Sequence, residues 1–386
     1  MTSVREFRIA VPDHALKELS RKIVETRWPD AIENSSWNYG TDLHYLKELA
    51  VYWARAFDWR KQEARLNQLP QFRVTIDGCA VHFVHQRGEG PAPLPIVLTH
   101  GWPSTFVEME RLIPLLANPS AHGGDASDAF DVVVPSLPGF GFSDRSRVPG
   151  MTPLPVATLW SKLMTEELGY TRYAAHGGDI GSSVTARVGF IDPSHVVGIH
   201  LTYVSGSALI RYLGPGSAPL TSEESRFQRE SEQWAEAEGA YSHLQRTKPQ
   251  TLAYALTDSP VGLASWIVEK FRGWSDCRGD VERRFTKDEL LTHISIYWFT
   301  ETIASSMRMY FETRSAPWRF GPADRIKIPT GVTLFPEDIP VPPRPWAERI
   351  FNITHWEVMP RGGHFAAHEE PELLAQEIRS FFRPLR

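Results

Sequence analysis

The string His176-Gly177-Gly178-Asp179-Ile180-Gly181-Ser182 constrains this chain more than any other stretch. An apolar run ends at Ala175 just before it, and a helix-like run begins near Ser182 just after it. Glycines stand two residues before and two after the acid. That spacing predicts a nucleophile elbow, a strained strand-to-helix turn that lifts one side chain above a sheet. Glycine suits the flanks because a Cβ there would crowd so sharp a turn. The familiar elbow carries Ser at its centre. Here the centre is Asp179, and the chemistry turns on that difference.

The surrounding pattern supplies a sheet for the elbow. Residues 72–84 alternate in hydropathy around Asp77-Gly78, which reads as a hairpin. Residues 95–99 form an apolar strand running into His100-Gly101-Trp102-Pro103. A helix bearing Met109, Leu112, Ile113 and Leu116 follows, then a strand at 130–134 and the loop Pro138-Gly139-Phe140-Gly141. A helix at 155–168 precedes the strand into the elbow, and another strand spans 196–203. Strands resume at 329–335 and 353–359, and an amphipathic helix at 371–382 ends the chain. Such alternation predicts an α/β fold with a mostly parallel sheet covered on both faces.

Two regions fall outside that alternation. Residues 1–70 read as an N-terminal extension packed on the core. A short extended piece at 7–11 leads to a helix capped by Asp13, with Leu16, Leu19 and Ile23 on one face and Arg27-Trp28-Pro29 at its end. A second helix at 43–57 carries Tyr45, Leu49, Tyr52 and Trp53 on one face. Residues 205–325 read as helices at 222–240, 251–274 and 288–313. An all-helical block inserted between two late strands is expected to be a lid. The core is then 71–204 together with 326–386.

Composition narrows the function classes. Net charge is −5 with both signs interspersed, so neither a nucleic-acid stripe nor a polybasic membrane patch is present. The N-terminus lacks an apolar signal core, and no run approaches the roughly 18 apolar residues of a span. Cys79 and Cys277 form no metal or disulfide pattern. These features predict a soluble, cytoplasmic protein without a membrane anchor. Thirteen tryptophans suggest an aromatic interior or pocket.

The remaining catalytic candidates follow from chain order. In this fold the nucleophile comes first, then an acid, then a late histidine. His364, in Arg361-Gly362-Gly363-His364-Phe365, lies after the last predicted strand. The acid belongs after the preceding strand, where Phe335-Pro336-Glu337-Asp338 offers both Glu337 and Asp338. Its work would be to fix the tautomer of His364 and stabilise the imidazolium. The oxyanion hole would combine the backbone N–H of Ile180 with that of Trp102, since Pro103 has no N–H.

A carboxylate nucleophile suits saturated carbon. Attack at an sp³ carbon expels a leaving group and leaves an alkyl ester on Asp179. Water activated by His364 can then hydrolyse the ester at its carbonyl carbon, where the oxyanion hole acts. Epoxide opening and halide displacement both fit. An opening epoxide wants O–H donors for its alkoxide; a departing halide wants N–H donors such as Trp or Asn.

The full set of motifs resembles epoxide hydrolases of the α/β-hydrolase superfamily, in the microsomal-type branch with an extended N-terminal segment. The resemblance rests on Arg27-Trp28-Pro29, His100-Gly101-Trp102-Pro103, Pro135-Ser136-Leu137-Pro138-Gly139-Phe140-Gly141, Gly177-Gly178-Asp179, Asp258-Ser259-Pro260-Val261-Gly262-Leu263-Ala264 and Arg361-Gly362-Gly363-His364-Phe365. Together they cover nearly the whole chain. The resemblance implies two lid tyrosines on the epoxide oxygen. One matches Tyr241, seven residues before Lys248-Pro249; the other matches Tyr310, placed at the end of the helix containing Tyr297-Trp298. Tyr212, Tyr254 and Tyr297 also lie in the lid. The resemblance further implies Asp338 rather than Glu337 as the acid, because the acid lies two residues after the motif proline. It implies a small-molecule epoxide and water as reactants and no cofactor, and it allows a homodimer.

Ile180 departs from the family, in which many members have Trp after the nucleophile. The chain also resembles bacterial members of enediyne pathways, which open aryl-substituted epoxides. Two alternatives are weighed beside this one. A haloalkane dehalogenase would share Asp179, but Ile180 is no halide-binding Trp, and Trp102 stands where Asn is often the donor. A non-catalytic hydrolase-fold binding protein is opposed by the apparently complete nucleophile, base and acid.

Overall fold

The computed structural model describes residues 4–204, 219–316 and 324–386. Among the described residues nine strands form one sheet in the order β1-β2-β3-β5-β4-β6-β7-β8-β9. They are β1 (Arg5–Glu6), β2 (Gln71–Ile76), β3 (Cys79–Gln86), β4 (Leu94–Thr99), β5 (Phe130–Pro135), β6 (Tyr173–Gly177), β7 (Val196–Leu201), β8 (Ile326–Leu334) and β9 (Phe351–Val358). β1, β2 and β3 pair antiparallel, as do β3 and β5. From β5 through β9 every pairing is parallel.

The inner parallel strands β4 and β5 are buried on both faces, which explains their unbroken apolar runs, while the edge strand β9 is largely half-buried or exposed. In β5, Val133 belongs to one cluster with Val184, Trp160 and Leu201. Its neighbours Val132 and Val134 belong to the opposite cluster with Leu112, Leu374 and Ile378. Helices Pro153–Lys162 and Asp179–Ile191 pack against each other, and Leu112–Ala117 packs against Pro371–Phe382. The predicted helix at 155–168 ends as α-helix at Lys162 and runs on as a π turn to Glu167.

Between β7 and β8 the described residues form helices Ser222–Glu238, Ala240–Gln245, Pro249–Asp258, Pro260–Gly273, Lys287–Thr300 and Ile303–Ser315. Two predicted long helices are therefore each broken in two. Pro260 starts a new helix behind the Ser259 cap, whose side chain accepts from the Gly262 N–H. Glu301, in the left-handed region at φ 53°, terminates Lys287–Thr300. Tyr310 consequently sits on the helix after the one holding Tyr297 and Trp298.

The N-terminal extension packs on the sheet edge through β1. Its helix Asp13–Val24 starts with Asp13 in the first turn and Pro12 at the cap position, so Asp13 serves the helix dipole instead of capping. Helix Leu43–Arg55 lies against the inserted helices: Trp53 Nε1 donates to Ser295 Oγ at 3.2 Å and the Tyr52 hydroxyl to Asp288 at 2.9 Å. A third helix, Trp59–Leu66, carried no periodic signal strong enough to be expected. The extension thus ties the sheet edge to the helical block. No helix among the described residues is long and apolar enough to cross a membrane.

Candidate active site

The elbow is built by exclusion. Asp179 opens helix Asp179–Ile191 at φ 48°, a left-handed conformation that costs a non-glycine residue energy and persists only when neighbours enforce it. The neighbours are close. A Cβ on Gly177 would lie 2.4 Å from the Gly181 carbonyl, and one on Gly181 would lie 2.0 Å from the Thr99 carbonyl oxygen. On the facing loop, a Cβ on Gly101 would meet Asp179 Cβ and Oδ1 at 2.4 Å. Three glycines thus let the β6 turn, its helix and the β4 loop converge on one carboxylate.

The β4 loop supplies the first partner. The Trp102 N–H donates to Asp179 Oδ1 at 2.9 Å. His100 fixes this loop. Its Nε2 accepts from the Leu137 N–H at 3.2 Å, which leaves Nδ1 as the protonated nitrogen, 3.0 Å from the Gly101 carbonyl oxygen. Burial pushes the His100 pKa down to about 4, so the ring stays neutral in this tautomer. Ile180 occupies the first turn of the helix, where backbone N–H groups have no intrahelical acceptor.

His364 lies across the carboxylate. Its Nε2 is 3.5 Å from Asp179 Oδ2, and its Nδ1 is 2.5 Å from Asp338 Oδ1. Burial disfavours the imidazolium, but the Asp338 and Asp179 carboxylates outweigh it and hold the His364 pKa well above its ordinary value. Glu337 points elsewhere; its backbone pairs with the 362–363 turn, and its N–H donates to the Gly362 carbonyl at 3.1 Å. The geometry therefore brings Asp338, not Glu337, to the histidine.

The His364 loop is anchored to the inserted block. The His364 N–H donates to the Trp274 carbonyl at 2.8 Å, and the Gly362 N–H to Asp276 Oδ2 at 3.2 Å. Glu369 accepts from both the Phe365 and Asp276 N–H groups, at 3.0 and 2.8 Å. The Trp274 ring stands edge-on to His364 at 5.2 Å, and Tyr203 does so at 6.1 Å. Nothing local in the sequence marked Trp274 or Asp276, because their partners lie far along the chain, and the Glu369 contact with Asp276 spans 93 residues.

The two tyrosines complete the site. Tyr241 stacks on the Trp102 ring at 5.3 Å and 6° between planes. Tyr310 meets Trp102 edge-on at 6.0 Å and Tyr241 edge-on at 6.1 Å, so the two phenols are brought side by side. Burial first, then the negative surroundings including Asp179, raises both phenol pKa values well above the ordinary one. Both are therefore neutral O–H groups close enough to Asp179 to feel its charge. Of the other lid tyrosines, Tyr297 is buried with its hydroxyl donating to the Ser104 carbonyl at 3.0 Å. Tyr254 is exposed. Tyr212 lies outside the described residues.

The assembly brings together the Asp179 carboxyl, the His364–Asp338 pair, the Trp102 N–H and two phenols. Among the described residues no group of His, Cys, Asp and Glu side chains is arranged to hold a metal ion.

Comparison with known proteins gives a consistent result. Residues 4–109 match the family model described as epoxide hydrolase N terminus, and residues 96–377 match the alpha/beta hydrolase family. A Stigmatella aurantiaca (strain DW4/3-1) protein provisionally named an epoxide hydrolase is 43% identical over 99% of this chain and 86% of its own length. Epoxide hydrolase 1 of Sus scrofa is 38% identical over 98% of this chain and 88% of its own. The crystal structure of juvenile hormone epoxide hydrolase from the silkworm Bombyx mori superposes with a TM-score of 0.87 at 28% identity, covering 100% of this chain and 95% of that one.

Proposed function

This chain belongs to the epoxide hydrolase family of the α/β hydrolases, and from that premise we propose how its site residues divide the reaction. The protein is an epoxide hydrolase, converting an epoxide and water to a vicinal diol. Asp179 attacks an oxirane carbon and forms an alkyl ester. The C–O bond breaks, and the oxygen is received by the Tyr241 and Tyr310 hydroxyls, one of which gives up its proton. The observation that carries this assignment is the neutral phenol pair packed on Trp102, Tyr241 stacked and Tyr310 edge-on, with the Trp102 N–H holding the nucleophile.

Ester formation then switches the base on. Asp338 and Asp179 both raise the His364 pKa in the resting enzyme. Esterifying Asp179 removes one of those negative charges, so His364 releases its proton more readily, and that proton, carried by water, restores the phenol that gave up its own. Neutral His364, oriented by Asp338, takes a proton from water as that water attacks the ester carbonyl. The Trp102 and Ile180 N–H groups receive the oxyanion. Collapse frees the diol and returns Asp179 with one oxygen from water.

The aromatic surroundings of Asp179, from Trp102, Trp274, Tyr241 and Tyr310, support an apolar or aryl-substituted epoxide as substrate. The free thiols of Cys79 and Cys277 suit a reducing cytoplasm. A homodimer is tested by light scattering of the purified protein.

A single turnover in oxygen-18 water tests the chemistry. The label should enter Asp179, found by peptide mass spectrometry, while the first diol carries an unlabelled enzyme oxygen. Label appearing directly in the first-turnover diol would falsify the covalent route.

A further inference from the structure

Glu108 is a buried carboxyl that the reaction above leaves unused, and it sits one hydroxyl away from the oxyanion hole. It lies on the 3₁₀ turn Phe106–Met109, directly after the β4 loop. The Ser104 hydroxyl bonds Glu108 Oε2 and also lies 3.1 Å from the Gly101 carbonyl oxygen. Gly101 O and the Trp102 N–H are the two ends of one peptide group. That N–H is the donor to Asp179 Oδ1.

Ser104 has a single hydroxyl proton, which decides between two states. With Glu108 protonated, the carboxyl can donate to Ser104 Oγ, and Ser104 can donate to the Gly101 carbonyl. With Glu108 ionised, Ser104 must turn its proton to the carboxylate, and the Gly101 carbonyl keeps only the His100 donor. Bonds to a peptide carbonyl polarise the N–H at its other end and hold the peptide plane. The protonated state therefore gives Trp102 the stronger, better-aimed N–H.

We propose that Glu108 is a positioning residue for ester hydrolysis, acting in its protonated form through Ser104 and the Gly101–Trp102 peptide to strengthen the oxyanion donor. This rests on the assignment of Trp102 to the oxyanion hole above. Burial raises the Glu108 pKa to about 7, opposed by the Ser104 bond and His364 and aided by Asp179 and Asp338. The other elements at this turn bring few charges. The short helix Ala366–Glu369 carries His368, 3.5 Å from Glu289, and Glu369, engaged with backbone N–H groups. Tyr297 on Lys287–Thr300 is kept neutral by burial. β5 packs here through its apolar Val132 and Val134.

The test separates the two half-reactions with an aryl epoxide by rapid quench, following formation and decay of the Asp179 ester by mass across about pH 6–9. Wild type should show a component of ester decay that falls as pH rises through the Glu108 range. Glu108→Gln, a permanent neutral donor, should lose that component while forming the ester at an unchanged rate. Ser104→Ala keeps the carboxyl and cuts the relay. It should slow decay about fivefold to tenfold, part of the roughly 10²–10³ lost with a whole oxyanion donor, and abolish the same component. Thermal melts establish that each variant is folded. An ester that forms normally but decays with the wild-type pH profile in both variants overturns the role of Glu108 alone. Absence of any Asp179 ester in wild type overturns the covalent reading, and this proposal with it.

Discussion

The elbow and the tyrosine pair, which we assign to the same reaction step, are specified in different ways. At the elbow the sequence is dictated by contact: Gly177, Gly181 and Gly101 each face atoms so close that a single methyl would collide. Steric demands of that kind are local and leave a short, readable string. Tyr241 and Tyr310 stand on separate helices, and no spacing rule relates them. They meet because both rings pack on Trp102, which the β4 loop delivers. The Asp179 carboxyl is thus positioned by backbone geometry and the tyrosine pair by tertiary packing.

Substitutions can break that contrast in graded steps. Asp179→Ala should remove activity by about 10⁴-fold or more, since no ester can form. His364→Gln should leave ester formation largely intact and slow its hydrolysis by about 10²–10⁴-fold, so a substrate-sized mass increment accumulates on Asp179. If neither variant traps nor loses the ester as described, the elbow is not the reaction centre.

The tyrosines should fail more gently. Tyr241→Phe and Tyr310→Phe should each lower the alkylation rate by about 10–10²-fold, because the remaining phenol still donates. The double variant should lose more than either alone. Equal rates for both single variants and wild type would remove the pair from the mechanism. Gly181→Ala tests the elbow from the stability side. With 2.0 Å available to the Thr99 carbonyl, it should cost about 3 kcal/mol or more, read from denaturant midpoints.

The smallest effect expected is on the pH dependence of stability. The folded pKa of His364 is raised above its unfolded value, so its contribution is fully present below about pH 6.5 and fades as pH rises through the folded pKa. Denaturation of wild type and His364→Gln at several pH values should show the two stability curves converging toward alkaline pH. Parallel curves would mean that the Asp338 and Asp179 carboxylates do not hold the proton.

Much of the core was legible before any coordinates. The alternation of buried strands and helices predicted the parallel sheet, and the boundaries of β3, β4 and β5 fall within a few residues of the apolar runs. Errors gathered where propensity was continuous but the chain was not. The run at 251–274 reads as one helix, yet Ser259-Pro260 restarts it; the run at 288–313 breaks at Glu301, whose left-handed backbone no composition announces. The anchoring of the base loop was invisible for another reason. Gly362, His364 and Phe365 find their hydrogen-bond partners in Trp274, Asp276 and Glu369, and only Glu369 is near in sequence.

The sequence by itself marked Asp179 as the candidate nucleophile and pointed to chemistry at saturated carbon, because an acid inside a glycine-flanked strand-to-helix turn leaves few readings. It also placed the candidate acid and base after it in chain order. The tertiary structure decided which carboxylate reaches His364, since Glu337 and Asp338 are adjacent and only backbone direction separates them. It likewise decided that Tyr241 and Tyr310 converge and that Tyr254 does not. Local sterics are written in neighbouring residues, whereas convergence of distant side chains depends on how packed layers close, and that is set by the whole chain at once.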